Sequence, residues 1–231
     1  MPRRFSNWTA QNSSRNRDMD LQDRVIGITR EKDPLSRAIA TAFGQEGATV
    51  EWVSEETDPA DFARTHPKLD TLILSLPTFP AGETIKLEDS AWAHALDGIL
   101  AHSIQLIQAA GARMVEQHRG CILILGSLAG TTGFPGWALA SAVEGALVAL
   151  TRALSCEWAS SNVRVTFLAC SPSEANGAAP NLFTERTPLG RTAQPDEIAR
   201  VALYLASERA SFTTGTVVHA DGGWTAWGLL K

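Results

Sequence analysis

From residue 24 onward the chain alternates between short, almost wholly apolar segments and longer segments with helical periodicity. That alternation restricts the fold more than any other feature. The short segments read RVIGIT, ATVEWV, LDTLILSL, CILILGS, VRVTFLA and TGTVVHADGG. Between the first two, PLSRAIATAFGQEG sets Leu35, Ile39, Ala42 and Phe43 on one helical face, with Gly47 as a stop. Further helical segments are DPADFARTH, a long stretch from Glu88 to Gln117, and GWALASAVEGALVALTRAL at 136–154. QPDEIARVALYLAS opens with Pro195 and acidic residues in its first turn, which suits a helix start. Strands with no polar alternation must be covered on both faces, and helices between strands supply the crossovers of a parallel sheet. The expected fold is α/β, a single doubly wound Rossmann-like parallel sheet. There is no internal repeat and no second domain. Residues 1–22, basic and polar, read as a flexible arm whose Phe5 and Trp8 could dock on a neighbour, and residues 23–231 as the domain.

Composition narrows the function classes. With 44% hydrophobic residues the chain can bury a sizeable core. A net charge of −5 gives no basic footprint for nucleic acid. No membrane partner is expected, because no apolar run matches the roughly 20 residues that a membrane helix needs. The first residues lack the apolar stretch of a secretory signal. Three cysteines, Cys121, Cys156 and Cys170, are unpaired as motifs; Cys121 opens one strand-like run and Cys170 closes another, so buried reduced thiols are expected. The histidines show no ligand spacing, so no metal site is expected, and a cytoplasmic location follows as the default.

Three segments carry a resemblance. PLGRTAQPDEIARVALYLASERASFTTGTVVHADGG at 188–223, LTRALSCEW at 150–158 and GCILILGSLAG at 120–130 resemble the short-chain dehydrogenase/reductase family. The likeness covers roughly residues 23–223. It implies hydride transfer between a nicotinamide and a carbinol or carbonyl. In that chemistry a tyrosine passes the proton, a lysine four residues on acidifies it and holds the ribose, a serine holds the substrate oxygen, and an asparagine completes a relay.

The matching positions hold other residues. The tyrosine and lysine positions are Ala140 and Glu144, the serine position is Ser127, and the asparagine position is Ile99. Ala140 has no proton to give, and Glu144 has the wrong sign to acidify a phenol. The chain's one tyrosine, Tyr204, lies inside VALYLAS and reads as a core-facing helix residue. Ser127 reads as an ordinary post-strand serine with no base placed for it. Glu144 reads as a solvated or interface-paired carboxylate, or as a raised-pKa acid if the helix buries it. No catalytic residue is therefore expected.

The family's glycine-rich loop lets backbone N–H groups approach a pyrophosphate at a helix N-terminus. Here ITREKDPLSRAIA puts Arg30, Pro34 and Ser36 at its glycine positions. Pro34 removes one N–H and the side chains crowd the approach, although Arg30 and Lys32 could still attract an anion. No cofactor is expected. Only residues 54–68 separate ATVEWV from LDTLILSL. A crossover with its helix takes at least about 10–12 residues, so one helix fits and no additional strand. The sheet is expected to lack the family's outer edge strand, and with it a wall for the adenosine.

Three function classes follow. The first is a non-catalytic subunit, a structural or regulatory partner of a catalytic relative in a hetero-oligomer. An acyl-CoA-type alcohol dehydrogenase is one setting for such a pair, though the sequence does not single it out. The second is a ligand-sensing homo-oligomer without turnover. The third is an enzyme using other residues, such as Ser127, Glu144 or Glu174. The partner expected is a catalytic relative, itself, or both, in a dimer or tetramer. Ala142, Ala146 and Ala149 on the 140–158 helix, with Trp224 and Trp227, are the expected interface.

Overall fold

The computed structural model describes residues 21–54, 57–171 and 184–227. Six strands form one sheet: β1 (Val25–Thr29), β2 (Thr49–Val53), β3 (Leu69–Ser75), β4 (Gly120–Ser127), β5 (Val163–Cys170) and β6 (Val217–Ala220). Their order is β2-β1-β3-β4-β5-β6, and every pairing is parallel. All seven residues of β3 are buried, as a strand covered on both faces requires. Among the described residues β2 ends the sheet, so the expected short sheet, with no strand outside TVEWV, is what is observed.

The helices are α1 (Pro34–Gln45), α2 (Pro59–Thr65), α3 (Asp89–Ala93), α4 (Ala101–Glu116), α5 (Ala138–Trp158) and α6 (Pro195–Ala206). A π-helical stretch, His94–Leu100, joins α3 to α4, so the long helix expected from Glu88 to Gln117 is continuous but locally widened. Gly47, at φ +87, follows α1 and turns the chain toward β2, the stop its position suggested. One core, under α2, α4 and α5, includes Phe62, Leu106, Ile107, Val143, Leu147 and Phe167. The other, under α1 and α6, includes Ile26, Ile39, Phe43, Ile198 and Leu203.

Three expectations need correction. Leu21 is 3% exposed and packs in the second core, so the domain begins before residue 23; the remainder of the expected arm, 1–20, lies outside the described residues. Tyr204 is 40% exposed rather than core-facing, because α6 turns Ile198, Ala199, Ala202, Leu203 and Leu205 inward. α5 with its following 3₁₀ turn, Ala138–Ser161, is long and apolar enough to cross a membrane by length and composition. Half of its most apolar 18-residue window is buried inside the fold and Glu144 lies on its buried face, which marks a core helix.

α4 and α5 meet where Gly111 faces the Trp158 ring, and a Cβ at Gly111 would overlap that ring's carbons. Gly111→Ala is expected to destabilise the domain by about 1–3 kcal/mol through overpacking. Urea denaturation checks this, with an unchanged midpoint as the contrary result.

Candidate functional site

In a doubly wound sheet the crevice lies at the carboxyl ends of the strands. There β4 ends at Ser127 and runs into a 3₁₀ turn, Leu128–Gly130, which packs on α5. Glu144 projects from α5 into this turn and is 2% exposed. A single oxygen, Oε2, accepts from Ser127 N at 2.9 Å, Ser127 Oγ at 2.9 Å and Gly130 N at 3.2 Å. Ser127 Oγ in turn accepts from Ala129 N at 3.0 Å. Two glycines make the room. A Cβ at Gly126 would stand 3.3 Å from the Glu144 carboxyl carbon and run into Phe167, and one at Gly130 would stand 3.0 Å from the Glu144 Cβ.

Burial pushes the Glu144 carboxyl up to about 7, and the hydrogen bonds from Ser127 and Gly130 pull it only part of the way back. This overturns the expectation of a solvated or interface-paired carboxylate. It equally overturns the expectation that Ser127 has no base beside it. The pair lies seventeen positions apart and meets only because α5 crosses the end of β4, a packing fact that no local motif announces. Ala140, one turn earlier, shares the buried face of α5. Ile99 sits on the π-helical stretch and adds apolar contact to the first core.

The loop after β1 keeps a glycine-like backbone without the glycine: Arg30 lies at φ 63. Asp33 caps α1, its carboxylate accepting from Ser36 N at 3.0 Å and Ser36 Oγ at 3.3 Å, with Pro34 in the first turn. Ser36 is fully buried. Asp-Pro before an apolar periodic run is the capping signature that marks Asp33 in the sequence. At the adjacent strand ends, Thr29 Oγ1 donates to Ser75 O and accepts from Ser75 N at 2.9 Å, tying β1 to β3.

Past β6, Asp221 is buried and accepts from Gly223 N and Thr225 N, both at 2.9 Å. Trp224, expected at a subunit interface, is 4% exposed within the chain itself. Its ring meets Phe134 at 5.0 Å, with the Arg186 guanidinium 4.1 Å above it. Trp227 is half-buried, whereas Ala142, Ala146 and Ala149 all face outward from α5. Glu174 lies outside the described residues. Among the described residues no group of three or more potential metal ligands is present. Cys121 and Cys170 are buried free thiols, as expected, and Cys156 is exposed.

Residues 59–225 match a family described as enoyl-(acyl carrier protein) reductase. The galactitol 2-dehydrogenase (L-tagatose-forming) of Cereibacter sphaeroides is 34% identical over 197 residues, 81% of this chain and 71% of that one. A protein of Xanthobacter autotrophicus, named inactive 2-(S)-hydroxypropyl-CoM dehydrogenase 2, is 33% identical over 158 residues, 63% of this chain and 68% of that one. A solved short chain dehydrogenase/reductase family protein superposes with a TM-score of 0.82 at 27% identity, covering 89% of this chain and 99% of that one.

Proposed function

The chain belongs to the short-chain dehydrogenase/reductase family, and from that premise we propose that it is a non-catalytic member, a structural or regulatory subunit paired with a catalytic relative. The observation that carries this reading is the enclosure of Glu144. At the position where the family's chemistry needs a cation, this chain holds a carboxyl whose hydrogen-bonded oxygen already has three donors and whose side chain is 2% exposed. A substrate at Ser127 meets no accessible acid there. That a relative is itself named inactive supports the idea that activity can be lost on this scaffold.

A nicotinamide dinucleotide does not fit the residues present. The N–H of Ser36 is taken by the Asp33 carboxylate, and Pro34 has no N–H to offer. A phosphate brought to this helix end would face a fixed negative charge instead of free donors. A catalytic alternative has one observation in its favour, a carboxyl titrating near 7 beside a hydroxyl, which is the range of a general acid or base. Its enclosure, with the residue 2% exposed, argues against it. The outward row of small residues on α5 supports association with a second subunit, and the free thiols suit a reducing, cytoplasmic setting.

Calorimetric titration with NAD(H) and NADP(H) is expected to show no binding tighter than about 10 μM, roughly −7 kcal/mol. Co-expression with a family member that carries the tyrosine and lysine is expected to give a fixed-stoichiometry complex. Tight dinucleotide binding, or turnover by the chain alone, would contradict the reading.

A further inference from the structure

We infer that the acidic stretch at residues 18–20, Asp-Met-Asp, docks in an arginine-lined cleft beneath the sheet and anchors the N-terminal segment to the domain. The inference stands on the charge and place of the cleft and is independent of the non-catalytic reading.

The cleft lies at the amino ends of β1, β3, β4 and β5, the opposite end of the sheet from Ser127. It opens to solvent and encloses about 480 Å³, room for a few side chains. Arg24, Arg119 and Arg164 line it with Asp70 and Glu208, so the lining carries one positive charge in excess. Asp70, 7% exposed, divides its carboxylate among Arg24, Arg119 and the Val25 N–H. Glu208 takes the other end of the Arg24 guanidinium at 3.0 Å. Arg164 donates to main-chain carbonyls, Leu205 O at 2.7 Å and Ser207 O at 3.2 Å, at the end of α6. Arg119 is 52% exposed and, among the described residues, pairs only with Asp70. A guanidinium has five N–H donors, so Arg119 keeps donors for a further carboxylate.

The place where the described chain begins selects the occupant. Leu21 is its first residue, is 3% exposed and itself lines the cleft. A residue spans at most about 3.6–3.8 Å, so Asp20 and Asp18 lie within about 4 and 11 Å of Leu21 along the chain. Extended backbone would put Asp18 and Asp20 on one side, with Arg17 and Met19 on the other. A segment tethered this closely has an effective concentration in the millimolar range, so its carboxylates meet Arg119 ahead of those of another molecule. Docking also sets where the residues before Asp18 leave the domain: from the amino-end face, away from the crevice.

The test is nitrogen-15 relaxation on the full chain, read as backbone order parameters. In the wild-type protein at low salt the value at Asp18 is expected near about 0.85, as for rigid backbone. It is expected to fall below about 0.6 at high salt, in Asp18→Asn/Asp20→Asn and in Arg119→Gln. Val25–Thr29 serve as the rigid reference in each protein. A value below about 0.6 at Asp18 in the wild type overturns the inference. So does an Asp18 that stays ordered in the double variant, because another contact then holds it. Order that appears only as protein concentration rises would put a second copy's segment in the cleft and equally overturns it. Arg119→Gln also takes a partner from Asp70. Should it not fold, the aspartate variant decides alone.

Discussion

Wild-type protein is expected to lose about 3 kcal/mol of stability between pH 4.5 and pH 8 through Glu144 alone, and Glu144→Gln is expected to lose none through that position. The magnitude is the shift from 4.5 to about 7 multiplied by about 1.4 kcal/mol per unit. The sign is opposite to that of most carboxylates. A group whose folded-state pKa is raised contributes its full stability below its unfolded value, and that contribution is gone once pH has passed the folded value. Burial sets this direction, since three hydrogen bonds favouring the anion fail to restore the ordinary range. Half-exposed Glu197, drawn down to about 2 by its hydrogen bonds with Arg191 and Gln194, acts oppositely, on the acid side. So does Asp221. Those groups are common to both proteins, so the difference between two urea-denaturation series, one per protein, isolates Glu144. A difference that does not change between pH 4.5 and 8 would show that the carboxyl ionises normally and is not buried as described.

The strands and helices were legible because each carries its own signal. CILILGS and LDTLILSL are too apolar for anything but a doubly covered strand, and Gln194-Pro195-Asp196-Glu197 announces the start of α6. The short linker 54–68 likewise revealed that β2 ends the sheet, because crossover length is a geometric bound. What the sequence hid depends on contacts between elements. Glu144 looks like any polar residue in a small-residue helix until β4 is laid against it; only Gly126 and Gly130, spaced around Ser127, hint that something needs room there. Trp224 sits in a polar, glycine-rich stretch that suggests exposure, and its burial comes from Phe134, ninety residues away in sequence. Tyr204 misled for a simpler reason: the strong inward face of α6 is one residue to either side of it, at Leu203 and Leu205.

Ala146→Arg is expected to convert the native oligomer to a folded monomer, or to release the chain from its catalytic partner with loss of the partner's assembled form. Ala142, Ala146, Ala149 and Ala153 follow helical spacing along α5 and are all exposed, while Val143, Leu147, Thr151 and Leu154 hold the opposite face against the sheet. Small outward residues let a second helix approach closely, so an arginine there would insert a long charged side chain into the contact. Across a two-fold axis the substitution would appear twice. Leaving such a charge buried and unpaired costs about 3–5 kcal/mol, roughly a hundred- to several-thousand-fold in association. Folding should be spared, because the site is exposed in the subunit and arginine is nearly as good a helix former as alanine. Thr41→Arg, exposed on α1 at the far face of the sheet, serves as the control that should leave assembly intact. Sedimentation velocity with far-UV circular dichroism separates the outcomes. A native protein that already sediments as a monomer, or an Ala146→Arg variant that stays fully assembled, removes α5 from the interface and the paired-subunit reading with it.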